Sequence, residues 1–178
     1  CAGAGKTETV AQRVSSLIDE GAAPDSIVAF TFTERAALEL KDRILKRVKE
    51  KQGAAFLDRL GPMYVGTIHG YCFRLLQDHV PKYGSFDVLD EHRHAGILAR
   101  EFFNLGLTGV FPGRTATADF IRTVDVIGNE LIDVATLADT PLGDCVQKYL
   151  DMLERYHFLT FGLIISKAVE ALGDPKVL

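Results

Sequence analysis

The sequence opens with the glycine-rich run AGAGKT, residues 2–7, and a segment of helical periodicity follows it directly. A phosphate-binding loop reads G-x-x-x-x-G-K-[ST], because its glycines let backbone N–H groups surround phosphate oxygens. Gly5, Lys6 and Thr7 match the end of this pattern, and counting back places its first glycine one position before Cys1. We therefore expect a phosphate-binding loop, in a chain that begins inside its own nucleotide site.

Each residue type in this loop has a defined chemical task. Lys6 would place its positive charge at the β and γ phosphates, and the Thr7 hydroxyl would coordinate magnesium. The helix behind the loop would direct its positive end at the phosphates. The predicted ligands are a nucleotide with β and γ phosphates and its Mg²⁺, and a flexible tail that contains GKT by chance is the alternative. The predicted nucleotide-binding residues, of which Lys6 and Thr7 are also the predicted catalytic ones, are Gly3, Ala4, Gly5, Lys6, Thr7 and Glu8.

Helical and strand patterns alternate through the first half of the chain. Helices are expected over residues 7–20, from residue 34 to near Gly53, and over residues 69–80. Strands are expected in SIVAFTFT, buried on both faces, in MYVGTI, and in FDVLD. This order predicts an α/β fold with a parallel sheet and crossover helices. The predicted inward positions of the first two helices are Val10, Val14, Leu17, Ile18, Ala37, Leu40, Ile44 and Val48.

From Glu91 onward the pattern is helical, over residues 91–105, 117–132, 143–157 and 160–172, and no strand is expected there. We therefore place a domain boundary near Asp90, between residues 1–90 and 91–178. His92 and His94 in this half are expected to be exposed to solvent rather than to bind a metal, since two residues apart on a helix they face different sides.

Composition restricts the class of protein. Apolar residues make up 47% of the chain and charged residues 25%, which is typical of a folded globular protein. No apolar run approaches the roughly 18 residues of a membrane span, so we expect no membrane partner and a cytoplasmic location.

Net charge is -4, but residues 1–90 balance twelve acids with twelve bases, whereas residues 91–178 have twelve acids and eight bases. Nucleic-acid contacts should therefore be local and lie in the first half.

Polar and aromatic residues follow the first two predicted strands, in TFTERAA and GTIHGYCF. Ligands of open α/β sheets bind at the carboxyl ends of strands. Hydroxyls and helix N-termini hold phosphates, and aromatic rings stack on bases, so both clusters suit single-stranded nucleic acid. The alternative is structural: a core position for Phe32, helix caps at Thr31 and Thr33, and a helix start at His69. The predicted DNA-binding residues are Thr31, Phe32, Thr33, Thr67 and His69.

Taken together, these strings resemble the UvrD/Rep-like family of superfamily 1 DNA helicases. AGAGKT is similar to that family's phosphate loop, TFTERAALELKDRI to its motif Ia, and GTIHGYCFRLL to its motif Ib. The resemblance implies a P-loop, RecA-like ATP-binding core over residues 1–90, with an all-α insertion subdomain and the start of the return to the core over residues 91–178. It also implies a motor that binds ATP and Mg²⁺, moves 3′ to 5′ along single-stranded DNA and couples ATP hydrolysis to strand separation in DNA repair or recombination. In such a motor a base would stack on Phe32.

The partners that the resemblance implies are single-stranded DNA and DNA junctions, a second RecA-like domain of the same chain, and a nuclease or repair protein. The location it implies is the cytoplasm, with the nucleoid. The family's acidic Walker B motif is expected shortly after Leu178, so this fragment alone should be inactive as an ATPase. Where family members commonly have two acids after a Phe, this chain has Phe161-Gly162-Leu163.

Two other functions stay open. One is a catalytically degenerate helicase-like module that binds DNA within a nuclease or repair complex, and the other is a small P-loop phosphotransferase. The basic residues of the second helix could form a DNA patch, but the interleaved acids favour a solvated helix face. These bases are Lys41, Arg43, Lys46, Arg47, Lys49 and Lys51.

Overall fold

The computed structural model describes residues 5–175 and residue 177, so Gly3 and Ala4 of the predicted loop lie outside the described residues. The chain divides into two compact units: the phosphate-loop unit, which ends at Tyr71, and the helical unit, which begins at Cys72. The predicted domain boundary near Asp90 stays a prediction. Within the described residues, no helix has both the length and the apolar character that crossing a bilayer requires.

These residues form seven α-helices and four short strands, and every predicted helix is present. The helices are α1 (Lys6–Asp19), α2 (Glu34–Gln52), α3 (Ile68–His79), α4 (Glu91–Glu101), α5 (Ala116–Asn129), α6 (Pro141–Arg155) and α7 (Phe161–Leu172). The strands are β1 (Val28–Thr31), β2 (Tyr64–Thr67), β3 (Asp87–Val88) and β4 (Phe158–Leu159). The mixed α/β class with parallel strands is confirmed.

The first two helices bury one face each, as their periodicity predicts. All four predicted inward positions of α2 are buried, and the Thr33 hydroxyl caps this helix by accepting a hydrogen bond from the Ala36 N–H. In α1 the prediction was partly wrong. The buried face contains Ala11, Val14, Ser15 and Ile18, whereas Val10 is 40% exposed, because small residues at the helix contact shift the buried stripe by one position.

Strands β1 and β2 pair in parallel, with Val28 opposite Tyr64 and Thr31 opposite Thr67, and α2 forms the crossover between them. The expectation that β1 is buried on both faces was wrong. Ala29 packs in the core with the apolar face of α2, but Phe30 on the opposite face is 47% exposed. On that face, the Phe30 ring contacts the Tyr64 and Tyr71 rings edge to face.

The helical unit contains its own two-stranded sheet. β3 pairs in parallel with β4, with Asp87 opposite Phe158 and Val88 opposite Leu159. The third predicted strand therefore exists, but the expectation of no strand after Glu91 was wrong. β4 has two residues between two helices, which is too few for an alternating pattern to show in the sequence.

The core of the helical unit contains a polar pair. His94 is 4% exposed, and its Nε2 lies 2.8 Å from the hydroxyl oxygen of Tyr149, which is 1% exposed. The expected solvent exposure was therefore wrong for His94, although His92 is exposed. His94 lies four residues before the buried Leu98, on the face of α4 that packs inward. Among the described residues, no group of His, Cys, Asp and Glu is arranged to hold a metal.

Helices α5 and α7 approach each other at Gly128 and Gly162. A Cβ on Gly128 would lie 2.8 Å from the carbonyl carbon of Gly162 and 2.9 Å from its Cα. Two backbones this close leave no room for a side chain on α5 at this point. The contact therefore requires glycine at position 128. At position 162, where the resemblance led us to expect an acid, a Cβ would lie 3.3 Å from the Gly128 Cα, a tight contact that does not by itself require glycine.

Candidate functional site

The start of α1 has backbone groups that could bind an anion. Gly5 precedes the helix with φ 71° and ψ 5°, a left-handed conformation that glycine adopts without steric cost. The N–H and the hydroxyl of Thr9 both donate to the Gly5 carbonyl oxygen, at 2.9 and 3.2 Å, and close the first turn. The N–H groups of that turn have no partner within the helix, and the helix dipole makes this end positive.

Lys6 and Thr7 provide the side chains that the predicted phosphate site requires. Lys6 is exposed and Thr7 is half-buried in the first turn of the helix. Its hydroxyl is an oxygen ligand of the kind that magnesium prefers. The backbone donors, the ammonium group and the hydroxyl thus fit a nucleoside triphosphate with its magnesium ion.

Glu8 has a different environment from the rest of the loop. Its Oε1 accepts from Arg47 Nε at 2.7 Å and from Arg47 Nη2, and its Oε2 accepts from Arg43 Nη1 at 3.1 Å. The hydrogen bond from Arg47, reinforced by the charges of both guanidinium groups, holds the pKa of Glu8 below its usual value. The carboxylate thus faces α2, and the Glu8 group that could still contact a nucleotide is its backbone N–H.

Thr31 and Thr67 lie side by side at the carboxyl ends of β1 and β2. The Thr31 hydroxyl donates to the Thr33 carbonyl oxygen at 3.0 Å. The Thr67 hydroxyl donates to Glu34 Oε1 at 2.9 Å and accepts from the Gly70 N–H at 3.1 Å. These bonds fix the turns that follow the strands, and they join the start of α2 to the end of β2.

Phe32 projects from the turn after β1 with 96% of its surface exposed. The alternative of a core role for Phe32 was therefore wrong. An exposed aromatic ring between two hydroxyl residues has the features of a base-stacking position. Thr33 caps α2, as its structural alternative stated, and His69 lies half-buried at the second residue of α3.

Two sets of ion pairs show how the phosphate loop lies relative to these strand ends. Glu8 near the start of α1 pairs with Arg43 and Arg47, and Asp19 at its end pairs with Lys51 at 2.7 Å. Both helices therefore run in the same direction, and the start of α1 lies beside the middle of α2. Arg43 lies nine residues beyond Glu34, roughly 14 Å along the helix. The start of α1 and the strand ends thus belong to one unit, and the ion pairs connect them through the first half of α2.

Sequence reasoning missed Glu34 and the arginines of α2 as parts of this site. The basic run lies on a solvated helix face as expected, with Arg47 half-buried, but the interpretation did not foresee that Arg43, Arg47 and Lys51 pair with α1. Arg43 and Arg47 are four residues apart and so share one side of the helix. That spacing is visible in the sequence, but the partner across the helix contact is not.

The sequence of this chain is similar to those of known DNA helicases. The family model of the UvrD/REP helicase N-terminal domain matches residues 1–178. The chain is 40% identical over 79 residues to a probable DNA helicase of Mycoplasma pneumoniae, an overlap of 44% of this chain and 14% of that protein. It is 36% identical over 105 residues to DNA helicase II of Escherichia coli, 56% of this chain and 13% of that one.

A third relative is the ATP-dependent DNA helicase PcrA of Staphylococcus aureus, 32% identical over 93 residues, which covers 50% of this chain and 12% of the relative. The matched part of this chain thus spans about one seventh or less of the length of these curated relatives. Each identity applies to the matched segment alone.

Proposed function

This chain belongs to the UvrD/Rep helicase N-terminal domain family, and we propose that it is the nucleotide- and DNA-binding part of an ATP-dependent helicase that moves 3′ to 5′ along single-stranded DNA. One observation supports the proposal most: the phosphate-loop unit contains both the start of α1, with Gly5, Lys6 and Thr7, and the exposed Phe32 after β1. A site for polyphosphate and a site for polynucleotide within one unit are what a DNA-dependent ATPase requires.

The nucleotide half of the site uses charge and backbone donors. The first-turn N–H groups of α1 bind phosphate oxygens, and the Lys6 ammonium group stabilises the negative charge of the β and γ phosphates. Thr7 would hold a magnesium ion through its hydroxyl, and such an ion offsets phosphate charge when bound. Gly5 has no Cβ, so its backbone can approach the phosphates closely. Glycine also adopts the left-handed conformation of this position more easily than any other residue.

The DNA half of the site uses stacking and hydroxyl contacts. Phe32 stacks on a base, while Thr31, Thr33, Thr67 and His69 contact the sugar-phosphate chain near the strand ends. Hydrolysis would then move the DNA with respect to a second RecA-like domain of the whole protein. The proposed partners are single-stranded DNA, DNA junctions and a nuclease or repair protein, and the proposed location is the cytoplasm, with the nucleoid.

The test is the ATPase rate of the intact protein that contains this domain, with and without oligodeoxythymidylate. Lys6→Ala should lower the DNA-stimulated rate by about 100-fold or more, because a preorganised charge at the phosphates is lost. Lys46→Ala, which removes an exposed lysine from the middle of α2, is the matched control and should retain the rate.

Two results would contradict the proposal. Unchanged turnover in the Lys6→Ala variant would remove Lys6 from the mechanism. A wild-type protein that binds the oligonucleotide but never hydrolyses ATP would instead support the degenerate DNA-binding module.

A further inference from the structure

We propose that Glu8 is a positioning residue that clamps the phosphate loop to α2 and so transmits DNA contact at the start of α2 to the nucleotide. The inference rests on the proposed function. Glu8 is the third residue of α1, within one helical turn of Lys6 and Thr7. Arg43 and Arg47 bind both oxygens of its carboxylate. Charge-assisted contacts to both oxygens fix direction as well as distance.

The charges of this cluster explain how an acid can lie so close to a phosphate site. A lone carboxylate one turn from Lys6 would repel the nucleotide phosphates. Two guanidinium groups against one carboxylate leave the cluster with a net positive charge. Glu8 can therefore act as a mechanical link without weakening the attraction for a polyanion.

Helix α2 connects this clamp to the strand ends. It starts at Glu34, whose carboxylate holds the Thr67 hydroxyl, and its N-cap Thr33 directly follows Phe32. From Glu34 the helix continues without a break to Gln52, and the clamp residues lie roughly 14 to 20 Å along it. A helix is a stiff element, so a shift of its first turn on DNA binding would displace Arg43, Arg47 and Glu8 together.

The same helix pair offers a matched control at its other end. Asp19 accepts hydrogen bonds from Lys51 Nζ and Gln52 Nε2, both at 2.7 Å. Its carboxylate joins the same two helices through the same chemistry, about 16 Å of helix away from Glu8. If these contacts serve only to hold the helices together, neutralising either acid should have the same effect.

The experiment compares Glu8→Gln with Asp19→Asn in the intact protein, using ATP and oligodeoxythymidylate. We expect Glu8→Gln to raise the KM for ATP by about tenfold and to lower the DNA stimulation of ATPase by about fivefold or more, the range of coupling between sites. Asp19→Asn should leave both within about twofold. Arg47→Gln should reproduce the Glu8→Gln effect, and the double variant should be no worse than either single one, since the pair acts as a unit.

The sign of the change separates positioning from simple electrostatics. Glu8→Gln removes a negative charge beside the phosphates, so charge alone predicts a lower KM for ATP. A lower KM, or equal behaviour of the two variants, would overturn the proposal. The affinity for a fluorescent ATP analogue tests whether Glu8 positions the phosphate loop, even if the protein has no ATPase activity. Weaker binding of the analogue by Glu8→Gln but not by Asp19→Asn would support the proposal, and equal binding by both variants would reject it.

Discussion

The phosphate-loop unit and the helical unit place their unusual residues in opposite environments. In the first, Phe32 is 96% exposed and follows directly after a strand. In the second, Phe120 is fully buried and His94 lies against Tyr149 in the core. The difference teaches that a residue type alone does not indicate function. Phe32, exposed at the end of a strand, remains available for a ligand. Phe120, His94 and Tyr149 instead pack in the core of the helical unit.

The largest expected effect tests the packing side of this comparison. Gly128→Ala should lower the free energy of unfolding by about 2 to 3 kcal/mol, because its Cβ would meet backbone atoms of Gly162 that cannot rotate away. Gly96→Ala, in the open middle of α4, should instead raise it by about 0.5 to 1 kcal/mol through helix propensity. Urea denaturation measures both, and two equal shifts would contradict the close helix contact.

Replacement of Phe32 tests the exposed side of the comparison. Phe32→Ala should weaken the coupling of ATPase to DNA by about 1 to 3 kcal/mol, the contribution of one stacked base. Stability should change little, because the ring has few contacts to lose. Phe103→Ala removes a ring that is 80% exposed in the helical unit and is the matched control. Equal DNA stimulation in both variants at every oligonucleotide concentration would show that Phe32 has no part in DNA binding.

The smallest expected effect concerns pH. Burial lowers the pKa of His94, so the unfolded chain binds a proton more readily than the folded one. Stability should therefore be fully present above the unfolded pKa of about 6.5 and fall as the pH decreases below it. Denaturation at about pH 7.5 and 5.5 checks this. The difference should shrink in His94→Gln and persist in His92→Gln, and an identical decrease in all three proteins would refute it.

Sequence reasoning predicted what depends on local pattern. The buried face of α2, the parallel pairing of β1 with β2 and the helices of the second half all follow from periodicity and alternation. The sequence also indicated a ligand-binding turn after β1, because Phe32 lies between two hydroxyl residues, and Phe32 is exposed in that turn.

The errors have a common physical cause, which is contact between elements distant in the sequence. β4 exists because its two residues pair with β3. Phe158 of β4 lies opposite Asp87, which is 71 positions earlier in the sequence. His94 is buried because Tyr149 reaches it from α6, and Glu8 faces α2 because two arginines lie there. No single window of sequence contains both partners of any of these contacts.

Photocrosslinking tests the central claim most directly, because it reports where DNA lies on the protein. The intact protein is irradiated with an oligonucleotide that contains iododeoxyuridine, and the crosslinked peptides are identified by mass spectrometry. We predict crosslinks to the peptides that contain Phe32 and His69, and competition by unlabelled oligodeoxythymidylate. Crosslinks confined to residues 91–178 would contradict a DNA path over the ends of β1 and β2.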